Sequence, residues 1–194
     1  RIRKVDDIPW PAWDSLPIKA YVNSTYSLGP HRGKSIVILA TRGCPYKCSY
    51  CFEPSYFKMY KGKSKAFRRH SPEYVISEIK NVMEKYPTRR VHFSDDIFNL
   101  NKMWVKEFAN QYKKNFEVNW SCNIELTSID EDIIQSMAES GCRGGVFGLE
   151  SGVESIRMNV LNKKITNARY IEATNWLKKH NLKFFMNMMF CLPK

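Results

Sequence analysis

The chain has 194 residues, 43% hydrophobic and 26% charged, an ordinary globular balance large enough to bury one sizeable core, with no repeats or low-complexity tracts. Its net charge of +12 is compatible with a polyanionic partner such as RNA, a membrane surface or a phosphorylated substrate, or simply with a solvated basic surface. No stretch is apolar over the length a membrane span requires and no signal peptide opens the chain, which excludes a transmembrane reading of this sequence.

Arg1 is not a methionine and the chain closes on the apolar run 184–193 plus one Lys, so both ends read as cut. Residues 1–30 hold Pro9, Pro11, Pro17 and Pro30 with Trp10 and Trp13 among them. That proline density predicts an extended lead-in or interdomain linker whose aromatics pack on something. Residues 31–194 read as the domain proper. Residues 35–40 are a short continuous apolar run, the pattern of a strand buried on both faces. A long loop follows, carrying three cysteines and then a dense basic run: Lys58, Lys61, Lys63, Lys65, Arg68 and Arg69.

Ser71-Pro72-Glu73 has the chemistry of a helix start, with a hydroxyl cap, proline at the first helical position and an acid in the first turn. Val75, Ile79, Val82, Met83 and Tyr86 give that helix an apolar face, and Pro87 stops it. A second strand is predicted over 90–94. Asn101 then caps a helix with Trp104, Val105, Phe108 and Tyr112 on its buried side. A third strand is predicted over 117–122, and a helix over 130–140 that uses Ile133, Ile134 and Met137 and ends at Gly141. A fourth strand over 145–149, a helix from Thr166 with Ile171, Asn175 and Leu177 along it, and a fifth strand over 184–191 complete the series. This alternation predicts an α/β fold with parallel strands joined by right-handed crossovers, either an open doubly wound sheet or most of a (β/α) barrel. In both, chemistry gathers at the C-terminal ends of the strands.

Cys44, Cys48 and Cys51 lie on the loop after the first strand, spaced C-x3-C-x2-C. Their crowding suits metal binding better than disulfide pairing, and a reducing cytoplasm is the expected compartment. A cubane iron–sulfur cluster normally takes four thiolates. Three on one loop leave one iron free for a small molecule. A zinc site would want four ligands, and His70 is the one distant candidate. A plain electron-transfer cluster would want a fourth cysteine, but Cys122, Cys142 and Cys191 read as small core residues. Met186, Met188 and Met189 also read as core.

The motif, with Tyr50 just before its third cysteine, resembles the defining element of the radical S-adenosylmethionine (SAM) superfamily. The resemblance implies a partial (β/α) barrel. This chain would supply five strands of that barrel's six. It implies a [4Fe–4S] cluster on Cys44, Cys48 and Cys51, SAM bound at the open iron and cleaved reductively, and reduced flavodoxin or ferredoxin as electron donor. By the same resemblance, Asp95-Asp96 at the second strand end stands where the family accepts bonds from the SAM amino group. Alternation along a strand lets one of the two face the ligand. Glu150, in Gly148-Leu-Glu150-Ser-Gly152, stands where the family contacts ribose or methionine, and Cys191 occupies a glycine position near the adenine. Trp120-Ser-Cys122 is followed by Asn123 and Glu125, where relatives often carry an Arg. Arg157 or Lys163 is therefore the expected contact to the SAM carboxylate.

The lead-in Asp6-Asp-Ile-Pro9-Trp-Pro11 is similar to the segment that joins a cobalamin-binding domain to the radical SAM domain in one large subgroup. That implies cobalamin, bound outside this chain, and methylation or ring formation on a small molecule, lipid or tetrapyrrole. Two alternatives are an RNA-modifying radical SAM enzyme such as a methylthiotransferase, and a non-catalytic iron–sulfur or zinc module.

Overall fold

The computed structural model describes residues 2, 4–23, 35–63 and 65–192. Pro30 and Pro193, used above, lie outside them. The lead-in is not extended throughout. It makes short 3₁₀ turns at Val5–Asp7 and Trp13–Ser15 and a helix α1, Ile18–Asn23, entered directly after Pro17. Proline's fixed φ suits helix entry, which is why proline density here gives turns and a helix start. The lead-in does pack as its aromatics suggest. Trp13 Nε1 donates to Glu78 at 3.3 Å, and Asp14 takes bonds from Lys85 at 2.5 Å and Tyr86 at 2.9 Å.

The core is a five-stranded parallel sheet of β1 (Ser35–Ile38), β4 (Arg90–Phe93), β5 (Asn119–Asn123), β6 (Cys142–Glu150) and β7 (Lys183–Met188), lying side by side in chain order. A doubly wound sheet reverses its strand order at a switch point. This one never does, so it is the wall of a partial barrel. Helices α3 (Pro72–Lys85), α4 (Lys102–Asn115), α5 (Glu131–Glu139) and α6 (Asn167–Lys179) make the crossovers. Ser71, Asn101, Asp130 and Thr166 each cap a helix by accepting a backbone N–H three residues on, at 3.1, 2.8, 3.0 and 3.1 Å. A short pair, β2 (Thr41–Arg42) against β3 (Arg68–Arg69), and the helix α2 (Glu53–Met59) elaborate the long loop after β1.

Under the helices the sheet is closed by an aromatic cluster of Phe93, Phe98, Trp104, Phe108, Tyr112 and Trp120, with ring centroids 4.9–5.9 Å apart. Cys122 and Cys142 are buried in the core as expected. Three residues expected in the core are not there: Met186 and Met188 are each 48% exposed, and Cys191 is exposed. The two methionines stand on the edge strand β7, paired on one side only, with β6. No helix among the described residues is long and apolar enough to cross a membrane.

Candidate functional site

All five parallel strands point their C-terminal ends at one cavity of about 520 Å³. The cysteine loop forms one wall. Gly43 opens it at φ +83°, and a Cβ there would come within 2.3 Å of the Ala66 carbonyl oxygen, so the turn into the loop requires glycine. Glu53, buried at the start of α2, accepts the Cys44 backbone N–H at 3.1 Å and ties helix to loop. On the far side the loop is held by Ser49 N–H to the Leu161 carbonyl at 3.0 Å and by Asn162 Nδ2 to the Lys47 carbonyl at 2.7 Å.

Cys44, Cys48 and Cys51 all line the cavity, are half-buried, and form no disulfide. Burial pushes the Cys44 thiol up to about 12, reinforced by the charges of Cys48, Cys51 and Asp96. Burial also raises the Cys48 thiol, opposed by the nearby Lys163 ammonium and a bond from Tyr50. Among the described residues no three His, Cys, Asp or Glu side chains converge closely enough to hold a single metal ion. A mononuclear zinc site needs that convergence, with each sulfur about 2.3 Å from the ion. A cubane instead binds each thiolate to a different iron, so its donors stand farther apart. Three free thiols on one loop, lining one cavity, are of the donor type such a cluster takes. Coordination deprotonates a thiol outright, and a cationic iron core would reverse the repulsion among them.

The expected site residues divide sharply. Asp96 is exposed, lines the cavity, and acts on the charge of Cys44. Asp95 faces the other way and is 1% exposed. Its Oδ1 accepts from the Thr41 backbone N–H and, at 2.7 Å, from Thr41 Oγ1, which fastens β2 to the end of β4. Burial pushes the Asp95 carboxyl up to about 7.

Glu150 closes β6 at φ +63° and lines the cavity. Its Oε1 accepts from Tyr50 Oη at 3.0 Å and faces Lys163 Nζ at 3.4 Å. A Cβ on Gly148 would sit 1.8 Å from that same oxygen, so the carboxylate can lie against the strand only where residue 148 has no side chain. Tyr50 thus joins the cysteine loop to Glu150 and also bonds Cys48. Cys191 lies outside the cavity lining, but its φ of +57° is a backbone that favours glycine.

Arg157 and Lys163 also separate. Arg157 is fully buried. It donates to the Ser151 carbonyl at 2.5 Å and to Asn167 Oδ1, lies 3.9 Å from Glu154, and stacks 4.9 Å over the Tyr170 ring. It braces the loop after β6, which includes a single π-helical turn, Ile156–Val160. Lys163, at the end of that loop, lines the cavity together with Lys47 and Lys164, and it is the lysine that stands beside Glu150 and Cys48. His70, the distant zinc candidate, is buried beside Asp6 at 3.1 Å and does not line the cavity.

Three lining residues carry no role in the sequence reading. Tyr46 Oη donates to Glu125 Oε2 at 3.2 Å. Tyr170 Oη donates to the Gly148 carbonyl at 2.6 Å and supports the strand beneath Glu150. Tyr46 could have been suspected from its place inside the cysteine motif, whereas nothing local marks Glu125 or Tyr170.

The Radical SAM superfamily model matches residues 38–194. Among curated proteins, the chain is 30% identical over 182 residues to "Uncharacterized methyltransferase PH0819" of Pyrococcus horikoshii, covering 93% of this chain and 37% of that one. It is 26% identical over 185 residues to the cytidylyl-2-hydroxyethylphosphonate methyltransferase of Streptomyces wedmorensis, covering 91% of this chain and 32% of that one. The chain therefore spans about a third of the length of these relatives. Among solved structures, the radical SAM methyltransferase TsrM from Kitasatospora setae, with cobalamin and a [4Fe–4S] cluster bound, superposes with a TM-score of 0.66 at 17% identity, over 81% of this chain and 29% of that one. The cobalamin-dependent radical SAM enzyme OxsB gives 0.62 at 14% identity, over 78% and 23%. With the partial barrel and the cysteine loop at its rim already described, the match over residues 38–194 establishes that this chain belongs to the radical SAM superfamily.

Proposed function

We propose that this chain is the catalytic core of a cobalamin-dependent radical SAM enzyme that methylates, or forms a ring on, a small molecule, lipid or tetrapyrrole. The observation that carries the reading is the shared cavity: three free thiols, an acid beside Cys44, and an acid with a cation beside Cys48. When bound, a [4Fe–4S] cluster on Cys44, Cys48 and Cys51 supplies the electron that cleaves SAM and starts the radical chemistry.

The remaining residues act on SAM itself. Asp96 accepts bonds from the amino group. Lys163 pairs with the carboxylate, a role Arg157 is too deeply engaged to take. Glu150 accepts the ribose hydroxyls, oriented by Tyr50. The apolar walls Ile97, Ile124, Leu126 and Val146 exclude water, which strengthens each of these contacts. Methyl transfer is supported by the names of the relatives, and cobalamin by the solved structures, with the cobalamin domain placed outside this chain.

Glu150→Gln tests the site. It keeps the shape and removes the charge. A charge-assisted hydrogen bond contributes roughly 1.5–3 kcal/mol, so SAM affinity should fall by about ten- to a hundredfold with iron content unchanged. Unchanged SAM affinity removes Glu150 from the site.

A further inference from the structure

A second cavity, of about 530 Å³, adjoins the first, and Glu53 and Asp96 line both. Arg42 and Arg68 line the second cavity and are directly opposed on the antiparallel β2–β3 pair. Opposed residues on such a pair share one face with their Cβ atoms about 5 Å apart, and like charges there repel. Nothing beside Arg42 removes that repulsion. Its Nε is buried with no hydrogen-bond partner, and among the described residues it pairs with no carboxylate. Glu78, whose carboxyl burial pushes up to about 7, feels the Arg42 charge without pairing with it. Arg68 holds the Ile2 carbonyl through Nη1 at 3.1 Å. Of the two acids in the lining, Glu53 is taken by the Cys44 backbone N–H at 3.1 Å, and Asp96 stands on the wall common to both cavities. A buried guanidinium N–H left without an acceptor is costly. Two cations opposed across a cavity, one of them in that state, make a receptor for an anion.

We propose that this second cavity anchors the substrate by a terminal phosphate group held between Arg42 and Arg68. Two opposed guanidiniums call for a dianion. A phosphate monoester carries about −1.5 to −2 charge at neutral pH, whereas a carboxylate or a phosphodiester carries one. The planar guanidinium fork also matches phosphate oxygens two at a time, which a lysine cannot do. Beside the arginines the wall is apolar: Leu39 is 47% exposed and Phe52 67%. The carbon body next to the phosphate packs there, and the shared wall at Asp96 leads it toward the first cavity. The inference rests on the reading of that first cavity as the SAM site and adds a substrate class to it, a phosphorylated small molecule. Binding is non-covalent, so no bond or electron count changes.

The test titrates inorganic phosphate, above its second pKa, into the iron-loaded full-length protein by calorimetry. Wild type should bind it. Arg42→Gln should bind about tenfold or more weakly, with SAM affinity and iron content as in wild type, because Arg42 does not line the first cavity. Arg42→Lys and Arg68→Lys keep the charge without the fork and should bind phosphate more weakly than wild type; they carry the test if Arg42→Gln does not fold. Arg143→Gln, at an exposed arginine near the start of β6, should bind as wild type does. No binding by wild type, no weakening in the Arg42 and Arg68 variants, or equal weakening in Arg143→Gln overturns the site. Acetate, or cobalamin with its phosphodiester, should not displace the phosphate at equal concentration, and displacement by either overturns the assignment to a phosphate monoester. SAM is titrated into every sample. Protein that binds SAM and ignores phosphate overturns this inference alone, whereas protein that binds phosphate and ignores SAM overturns the reading beneath it.

Discussion

Phe93 and Asp96 lie three residues apart, yet they belong to two different constructions. Phe93 is fully buried against the rings of Phe98, Phe108 and Trp120, two of them in edge-to-face contact. Asp96 stands on the rim, exposed to a cavity walled by cysteines, tyrosines and charged side chains. On the helix-covered side, polar groups are tied off: Trp120 Nε1 reaches the Ser140 carbonyl, and Tyr112 Oη reaches that of Val118. On the rim, acids and a cation are held toward open space. The difference teaches that a substitution in the first region should be read in stability and one in the second in ligand affinity. Variants that cross over would break the account.

The largest expected effect is in the aromatic cluster. Phe108→Ala removes the ring that touches Phe93, Phe98, Trp104, Tyr112 and Trp120, and should cost about 3–5 kcal/mol in a denaturant titration. The fraction that stays folded should still take up iron. Next come the neighbouring acids. Asp96→Asn should weaken SAM binding about tenfold or more with the melting temperature unchanged. Asp95→Asn keeps an acceptor for Thr41 and should leave SAM affinity alone. Equal effects of the two on SAM binding would erase the division between rim and interior.

A smaller effect is pH dependence. Burial pushes Asp95 from the ordinary 3.8 and Glu78 from 4.5 up to about 7 each. The native chain therefore holds protons that the unfolded chain has already lost. The stability these groups contribute is full below the ordinary carboxylate range and is lost as pH rises toward 7. The denaturant midpoint should decline across that window, and Glu78→Gln, which still accepts from Trp13, should flatten part of the decline. A midpoint that rises between pH 4.5 and 7 for wild type and Glu78→Gln alike would contradict it.

Much of this was legible in local chemistry. Ser71, Asn101 and Thr166 announce their helices because a cap's signal is contained within four residues. The cysteine loop, Asp96 and Glu150 were legible because a strand-end position and a short motif coincide. What escaped depends on distance in space. β2 and β3 are two residues each and exist only because Arg42 meets Arg68 across the loop. The helix α2 was hidden in a segment read as loop, although Glu53-Pro54 is a helix-start signal. That Asp95 turns inward depends on Thr41, 54 residues away, and the separation of Arg157 from Lys163 depends on the π-helical turn between β6 and α6. Neither partner is visible from the strand end alone.

The central claim is that the rim cysteines hold a four-iron cluster. Iron, sulfide and zinc measured on anaerobically prepared wild type and on Cys44→Ala, Cys48→Ala and Cys51→Ala, beside Cys122→Ala and Cys142→Ala, test it most directly. The account predicts about four irons and four sulfides per chain in wild type and in the two core variants, and loss of the cluster in each of the three rim variants. Stoichiometric zinc in place of iron, or iron retained without Cys44, Cys48 or Cys51, would contradict it.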